Sequence, residues 1–323
     1  MMRPTPLMGV VLLGLLALLL SGCTIPQERK DAEVGKVAAT PDEVEAVFER
    51  YRTVRATAAR LLDAKPLSTV ESGAVLDIDT GSFEVAQRLS EDRDDEDGPP
   101  IDVEQVSTPR FGTYPLWFMA VVRDEDREVN RVQVFEREGA ASPWLLVASP
   151  ETVLDAELPE LRERDGAVLR VAADEDAGMR MSAQEAAQAY VEVLQDPDAE
   201  QAGVFENDGF VDQMRSTVAQ NSELEGVTYD QTWSAEEVRH VVRTADGGAL
   251  AFVDLNRSDV YEVEAGVTVT WPESSPQQAF IPQGISTSGT LLYKHQVLVL
   301  IPGGEAKPRV VGQFGGVVGA EGF

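Results

Sequence analysis

The stretch that decides the fold is MSAQEAAQAYVEVLQDP, residues 181–197. Ser182 and Glu185 stand three apart, the spacing at which each side chain satisfies the other's backbone N–H at a helix start. Ala186, Ala187, Tyr190, Val193 and Leu194 then recur on one side, and Asp196-Pro197 stops the run. The spacing predicts a helix over 183–194. Its importance is that it repeats an earlier event. At Thr40-Pro41-Asp42-Glu43 the chain offers another threonine cap, a proline at the first helical position and a glutamate at the capping-box offset. Val44, Val47, Phe48, Tyr51, Val54, Ala58, Leu61 and Leu62 follow at helical spacing, predicting a helix to about Asp63.

Outward from each helix the order is again shared. The first is followed by a second helical run near Ser82–Leu89, then strand-like runs at 101–106, 116–122, 129–135 and 144–147. The later one is followed by a helical run at 208–219, then strand-like runs at 227–233, 238–242, 249–254, 260–263, 267–271, 291–301 and 309–314. GQFGGVVGAEGF, the end of the chain, reads as an edge strand and a loose tail. IDVEQV (101–106) parallels VTYDQT (227–232), and PLWFMAVVRD (115–124) parallels GALAFVDLNR (248–257). The expected organisation is α+β, with two tandem units at 41–165 and 181–323 and a linker at 166–180. Helices followed by a curved antiparallel sheet resemble the cystatin-like and nuclear-transport-factor-like (NTF2-like) superfamily. That resemblance implies, in each unit, a long N-terminal helix packed on a curved sheet.

The N-terminus carries a different kind of information. Arg3 precedes an apolar run from Leu7 to Leu20, of secretory length and short for a membrane span. Leu20-Ser21-Gly22-Cys23 then resembles the lipobox of bacterial lipoproteins. The resemblance implies a signal peptide at 1–22, diacylglyceryl modification and palmitate-type acylation of Cys23, and a lipidated tether at 23–40. Two or three acyl chains, at roughly 0.8 kcal/mol per buried methylene, hold a protein durably where one does not. The competing readings are an ordinary secretory signal with a chance cysteine, or an uncleaved anchor helix. Cys23 is the only cysteine, so a chain that uses it for lipid retains no thiol for a disulfide, metal site or nucleophile. Together, lipobox and tandem layout resemble uncharacterised lipoproteins of high-GC Gram-positive bacteria, which implies the extracytoplasmic face of the cell membrane.

Charge bounds the partners. The formal net charge is −29, and removal of residues 1–22, which carry only Arg3, leaves −30. Such a chain is repelled by nucleic acid and by anionic headgroups, so no nucleic-acid partner is expected. The acidic loop SEDRDDEDGPP (90–100) fails as an EF-hand. Counted from Asp92, the sixth residue is Asp97 with Gly98 one place late, and the twelfth is Val103. His240 and His295, the only histidines, each continue an apolar strand face and read as packed residues. Nucleophile-elbow, phosphate-loop and zinc-protease motifs are absent, so no catalytic residue, metal or cofactor is expected. The expected activity is non-enzymatic: a binding or interaction module of the cell envelope, with the membrane and an envelope protein as partners. The alternatives are a small apolar-ligand binder, or an isomerase-like enzyme using a pocket carboxylate in an NTF2-like cone. The pocket position to examine is Tyr293 with His295.

Overall fold

The computed structural model describes residues 35–90, 102–153, 156–196 and 203–322. Cys23, the tether to residue 34 and the acidic residues 91–97 lie outside the described residues. Among those described, no helix is long and apolar enough to cross a membrane.

After a short strand β1 (Lys36–Val37), helix α1 spans Pro41–Leu61. Its capping box is formed: the Glu43 backbone N–H donates to Thr40 Oγ1 (3.3 Å) and the Thr40 N–H to Glu43 Oε2 (2.9 Å). Helix α2, Gly73–Leu89, starts nine residues before the expected run. Asp77, Asp79 and Gly81 break the apolar period there, and tertiary contacts explain all three. Asp79 is ion-paired with the buried Arg55, Asp77 with Lys294 at 3.0 Å. Gly81 lies so close to the sheet that a Cβ would sit 2.4 Å from the Val317 carbonyl oxygen.

The next strands are β2 (Asp102–Ser107), β3 (Arg110–Phe111), β4 (Leu116–Asp124), β5 (Val129–Arg137), β6 (Leu145–Ala148) and β7 (Glu151–Val153). A small hairpin, β8 (Glu163–Arg164) and β9 (Ala167–Val168), leads to helices α3 (Ala183–Gln195) and α4 (Gly209–Ser222). The α3 capping box also forms, through Ser182 and Glu185. Then come β10 (Val227–Ala235), β11 (His240–Arg243), β12 (Ala249–Val263), a one-turn helix α5 (Pro276–Phe280), β13 (Ser288–Ile301) and β14 (Arg309–Glu321).

The fold is α+β, built on one large antiparallel sheet of ten strands in the order β10-β12-β13-β14-β7-β5-β4-β2, with β11 on β12 and β6 on β5. Three strand expectations need correction. The runs 249–254 and 260–263 are one strand, because Arg257 and Asp259 between them pair on the same face instead of breaking it. Residues 267–271 make only a single bridge, Val269 to Ile285. The C-terminal segment is no loose tail: β14 continues to Glu321 and lies between β13 and β7. Its glycines admit neighbours. A Cβ at Gly315 would meet His295 Nδ1 at 2.3 Å.

Strand alternation shows how the sheet doubles over. On β4 and β5, Phe118, Ala120, Val122 and Phe135 face α1 through Val44, Phe48 and Tyr51. The opposite face, Trp117, Met119, Val132 and Val134, packs on Val242, Leu250, Phe252, Leu298 and Leu300. The other face of β12 and β13 (Ala249, Ala251, Val253, Val297, Val299) is covered by Ala186, Tyr190 and Val193 of α3 and Met214 of α4. Period-two alternation on both strand pairs therefore produces four layers: α1, the β4–β5 side, the β12–β13 side, and α3 with α4. The sheet halves join at its thinnest point, where Gln313 of β14 pairs with Glu151 of β7.

Candidate functional site

Where the two sheet halves face each other they do not close along the whole edge. Trp117 of β4 and Glu136 of β5 are direct cross-strand partners, so both point to the same face. Val132 and Val134 on that face are fully buried in the apolar seam; Glu136 continues the row with a carboxylate. It remains buried at 5 % exposure and is met from the opposing half by β11. His240 Nε2 lies 2.6 Å from Glu136 Oε2, and Arg239 Nη1 donates to Oε1 at 3.3 Å. Trp117 stands edge-on to the His240 ring, centroids 5.4 Å apart. Burial would raise the Glu136 pKa; the hydrogen bond and charge of His240, with Arg239, outweigh it and bring the carboxyl below its ordinary 4.5.

Above Glu136 opens a cleft of about 560 Å³. One wall is the turn between β3 and β4, with Tyr114 and a cis Pro115. Another is the segment leading to α3: Arg170 lays its guanidinium over the Phe111 ring at 4.2 Å, and Asp174 lines the same cleft. The third wall is Glu237–Arg239, held to α3 by the Val238 N–H donating to Gln184 Oε1 at 3.0 Å. The cleft thus draws on both halves and on the stretch 166–180 between them. That stretch is laced across the seam, with Val168 bridging Pro109 and Arg170 bridging Val242. A second, smaller hollow of about 270 Å³ borders α1, where Val47, Tyr51, Phe135 and Trp144 meet the charged Glu43, Arg50 and Arg137.

Tyr293 and His295 line neither hollow. Both are buried, their rings stacked 6.2 Å apart, with Phe210 and Trp233 centroids 5.1 and 5.3 Å from His295. Arg257 covers the Tyr293 ring at 4.2 Å and grips Asp259 with two nitrogens, Nε at 2.7 Å from Oδ1. Gln231 also donates to Asp259, and Trp233 Nε1 donates to Gln231. His295 Nε2 is buried and receives no hydrogen bond. Burial first, and the Arg257 charge second, push its pKa down to about 3. The nearby carboxylate is therefore committed to Arg257, not to the imidazole.

His240 was legible as a buried strand residue; its partner was not. The signal for Glu136 lies in VQVFER (132–137), where a charge follows Val132 and Val134 on an inward row. Among the described residues, no group of three His, Cys, Asp or Glu side chains is placed to hold a metal ion.

A family model described as a domain of unknown function, DUF8094, matches residues 36–322. No curated protein matches the chain. Among solved structures, the intermembrane-space region of the chloroplast protein ARC6 aligns with 43% of this chain and 97% of that one, at 16% identity and a TM-score of 0.23. A likeness so slight bears on neither mechanism nor partners.

Proposed function

The chain belongs to the DUF8094 family, and from that premise we propose that it is a lipid-anchored protein of the extracytoplasmic membrane face that acts by binding. Leu20-Ser21-Gly22-Cys23 carries the anchoring part of this reading: the only cysteine stands directly after small residues that end a secretory-length apolar run. The binding part rests on the seam cleft, whose volume lies in the range of small-molecule sites and whose walls mix aromatic and charged groups. Its partners are the membrane through the anchor and an envelope component in the cleft. Labelled palmitate is expected to enter the wild-type protein and not Cys23→Ser. Equal labelling of the variant would refute the anchor.

The tandem reading of the fold has support in the topology. In the first half, β2-β4-β5-β7 run as successive neighbours after two helices; in the second, β10-β12-β13-β14 do the same. The halves meet fourth strand to fourth strand, antiparallel, as two copies about a pseudo-twofold axis would. We read this as a duplicated helix-plus-meander unit of cystatin-like or NTF2-like kind, fused through its last strands. Superposing 41–153 on 183–321 tests it. Equivalent strands in equal order should overlay, and a different strand succession would refute duplication.

A second reading, binding of a small apolar molecule, is favoured by the apolar hollow at Val47, Tyr51 and Trp144. Titration with a fluorescent fatty acid should then saturate and be weakened by Trp144→Ala. At the position expected for isomerase-type chemistry, Tyr293 with His295, the nearby carboxylate Asp259 is held by Arg257 and Gln231.

A further inference from the structure

We propose that the seam cleft binds a neutral saccharide, an inference that rests on the cleft being the binding site. The first observation is charge balance. Glu136, Asp174 and Glu237 line the cleft with Arg170 and Arg239, so acceptors and donors border one space. An anion would meet three carboxylates there, and a cation two guanidiniums. Vicinal hydroxyls suit this lining better, because each hydroxyl donates once and accepts twice, and a guanidinium fork spans two acceptors at once.

The second observation is the aromatic wall. Tyr114 is 43% exposed on the turn that forms the cleft mouth. With Pro115 beside it, its ring offers a flat apolar surface to the C–H face of a sugar ring, while its hydroxyl stays available as a hydrogen-bond partner. The floor is rigid. Glu136 is held at both oxygens by groups from the opposing half, and Gln184 pins the Glu237–Arg239 wall to α3. A polar ligand thus meets groups already oriented, and less ordering entropy opposes its binding.

The third observation concerns place. The chain enters the described fold at Gly35, whose carbonyl accepts from Arg110, and β1 pairs with β3 at Phe111 on the cleft wall. Eleven residues lie between Cys23 and Gly35, and the chain across them extends no more than about 40 Å. On the proposed anchor at Cys23, two saccharide sources share the protein's compartment: glycolipid headgroups and envelope glycans. The two sources share the same hydroxyl-rich chemistry.

The test uses the full-length protein in detergent, probed with an array of neutral oligosaccharides of glucose, mannose, galactose and N-acetylglucosamine beside uronic-acid and amino-sugar counterparts. A second arm uses phosphatidylcholine vesicles containing digalactosyl diacylglycerol. At least one neutral glycan should bind, with about tenfold weaker affinity in Tyr114→Ala and Arg239→Ala, unchanged affinity in Gln220→Ala, and partial retention in Tyr114→Phe. Binding in the vesicle arm alone assigns the lipid-borne source, and in the array alone the free or polymeric glycan. No neutral glycan bound in either arm would overturn the saccharide. So would cleft-dependent binding of only acidic or amine compounds, which would leave the cleft standing as a binding site. Glycan binding unaffected by both cleft variants would overturn the cleft itself.

Discussion

The cluster around His295 and the cleft around Glu136 are assembled from the same four kinds of side chain. One has His295, Arg257, Asp259 and Trp233; the other has His240, Arg239, Glu136 and Trp117. They differ in where the ion pair comes from. Arg257 and Asp259 stand two apart on β12, so one strand presents both to the same face, and rings from α4, β10 and β13 close over them. Glu136 must find its partners across the seam, and Arg239 stays 52% exposed as it reaches them. A pair made within a strand can be sealed. One made between facing sheet halves, near the edge where they diverge, leaves room beside it.

The difference sets the largest expected effect. Asp259→Ala strands a guanidinium whose side chain is 5% exposed, and removing one partner of a buried pair costs about 3–5 kcal/mol. Arg239→Ala removes a half-exposed partner and should cost less than about 1 kcal/mol. Urea unfolding of both variants measures this contrast, and similar losses would break it. Next in size is Gly81→Ala. Helix propensity alone promises a gain of up to about 1 kcal/mol. The Val317 carbonyl 2.4 Å from the added methyl instead predicts a loss of about 1–3 kcal/mol as α2 is pushed off β14. Thermal unfolding decides the sign.

Two carboxylates should respond to pH in opposite directions. Glu136 has its folded pKa below 4.5, so the stability it contributes is full above about pH 4.5 and lost as pH falls through the folded value. In Glu136→Gln the acid limb of stability between pH 5 and pH 3 should flatten, as read by urea midpoints. Glu71 lies beside Asp79 and Arg55. Burial first, and the Asp79 charge second, hold its pKa well above 4.5. Its contribution is full below pH 4.5 and lost as pH rises through the folded value. Glu71→Gln should therefore match the wild type near pH 4 and exceed it near pH 8. The smallest effect is spectroscopic. With its pKa at about 3, the His295 imidazole should show no titration in NMR spectra between pH 8 and pH 5. A midpoint near the ordinary 6.5 would mean that water reaches it.

What could be read from the sequence was what depends on near neighbours. Thr40 with Glu43, and Ser182 with Glu185, specify helix starts by contacts three residues apart, and both boxes form. Strand β12 reads as two runs in the sequence because Arg257 and Asp259 look like a break until their mutual pairing is known. The extent of β14 was hidden because glycine has no side chain to display an alternation, and its role is to admit His295. The doubling of the sheet depends on Gln313 meeting Glu151 across 162 positions, for which no local pattern exists. The cleft has the same origin: three segments, each unremarkable alone, converge on Glu136. Only the carboxylate in the inward row of VQVFER announced it.

The most direct test of the claim that binding occurs at the seam is site-specific photo-crosslinking in intact cells. A benzophenone amino acid is placed at Tyr114, at the cleft mouth, or at the exposed Gln220 on α4. The account predicts an adduct from position 114 that disappears when Arg239→Ala is added, and none from position 220. Equal adducts from both positions, or a 114 adduct indifferent to Arg239→Ala, would contradict it.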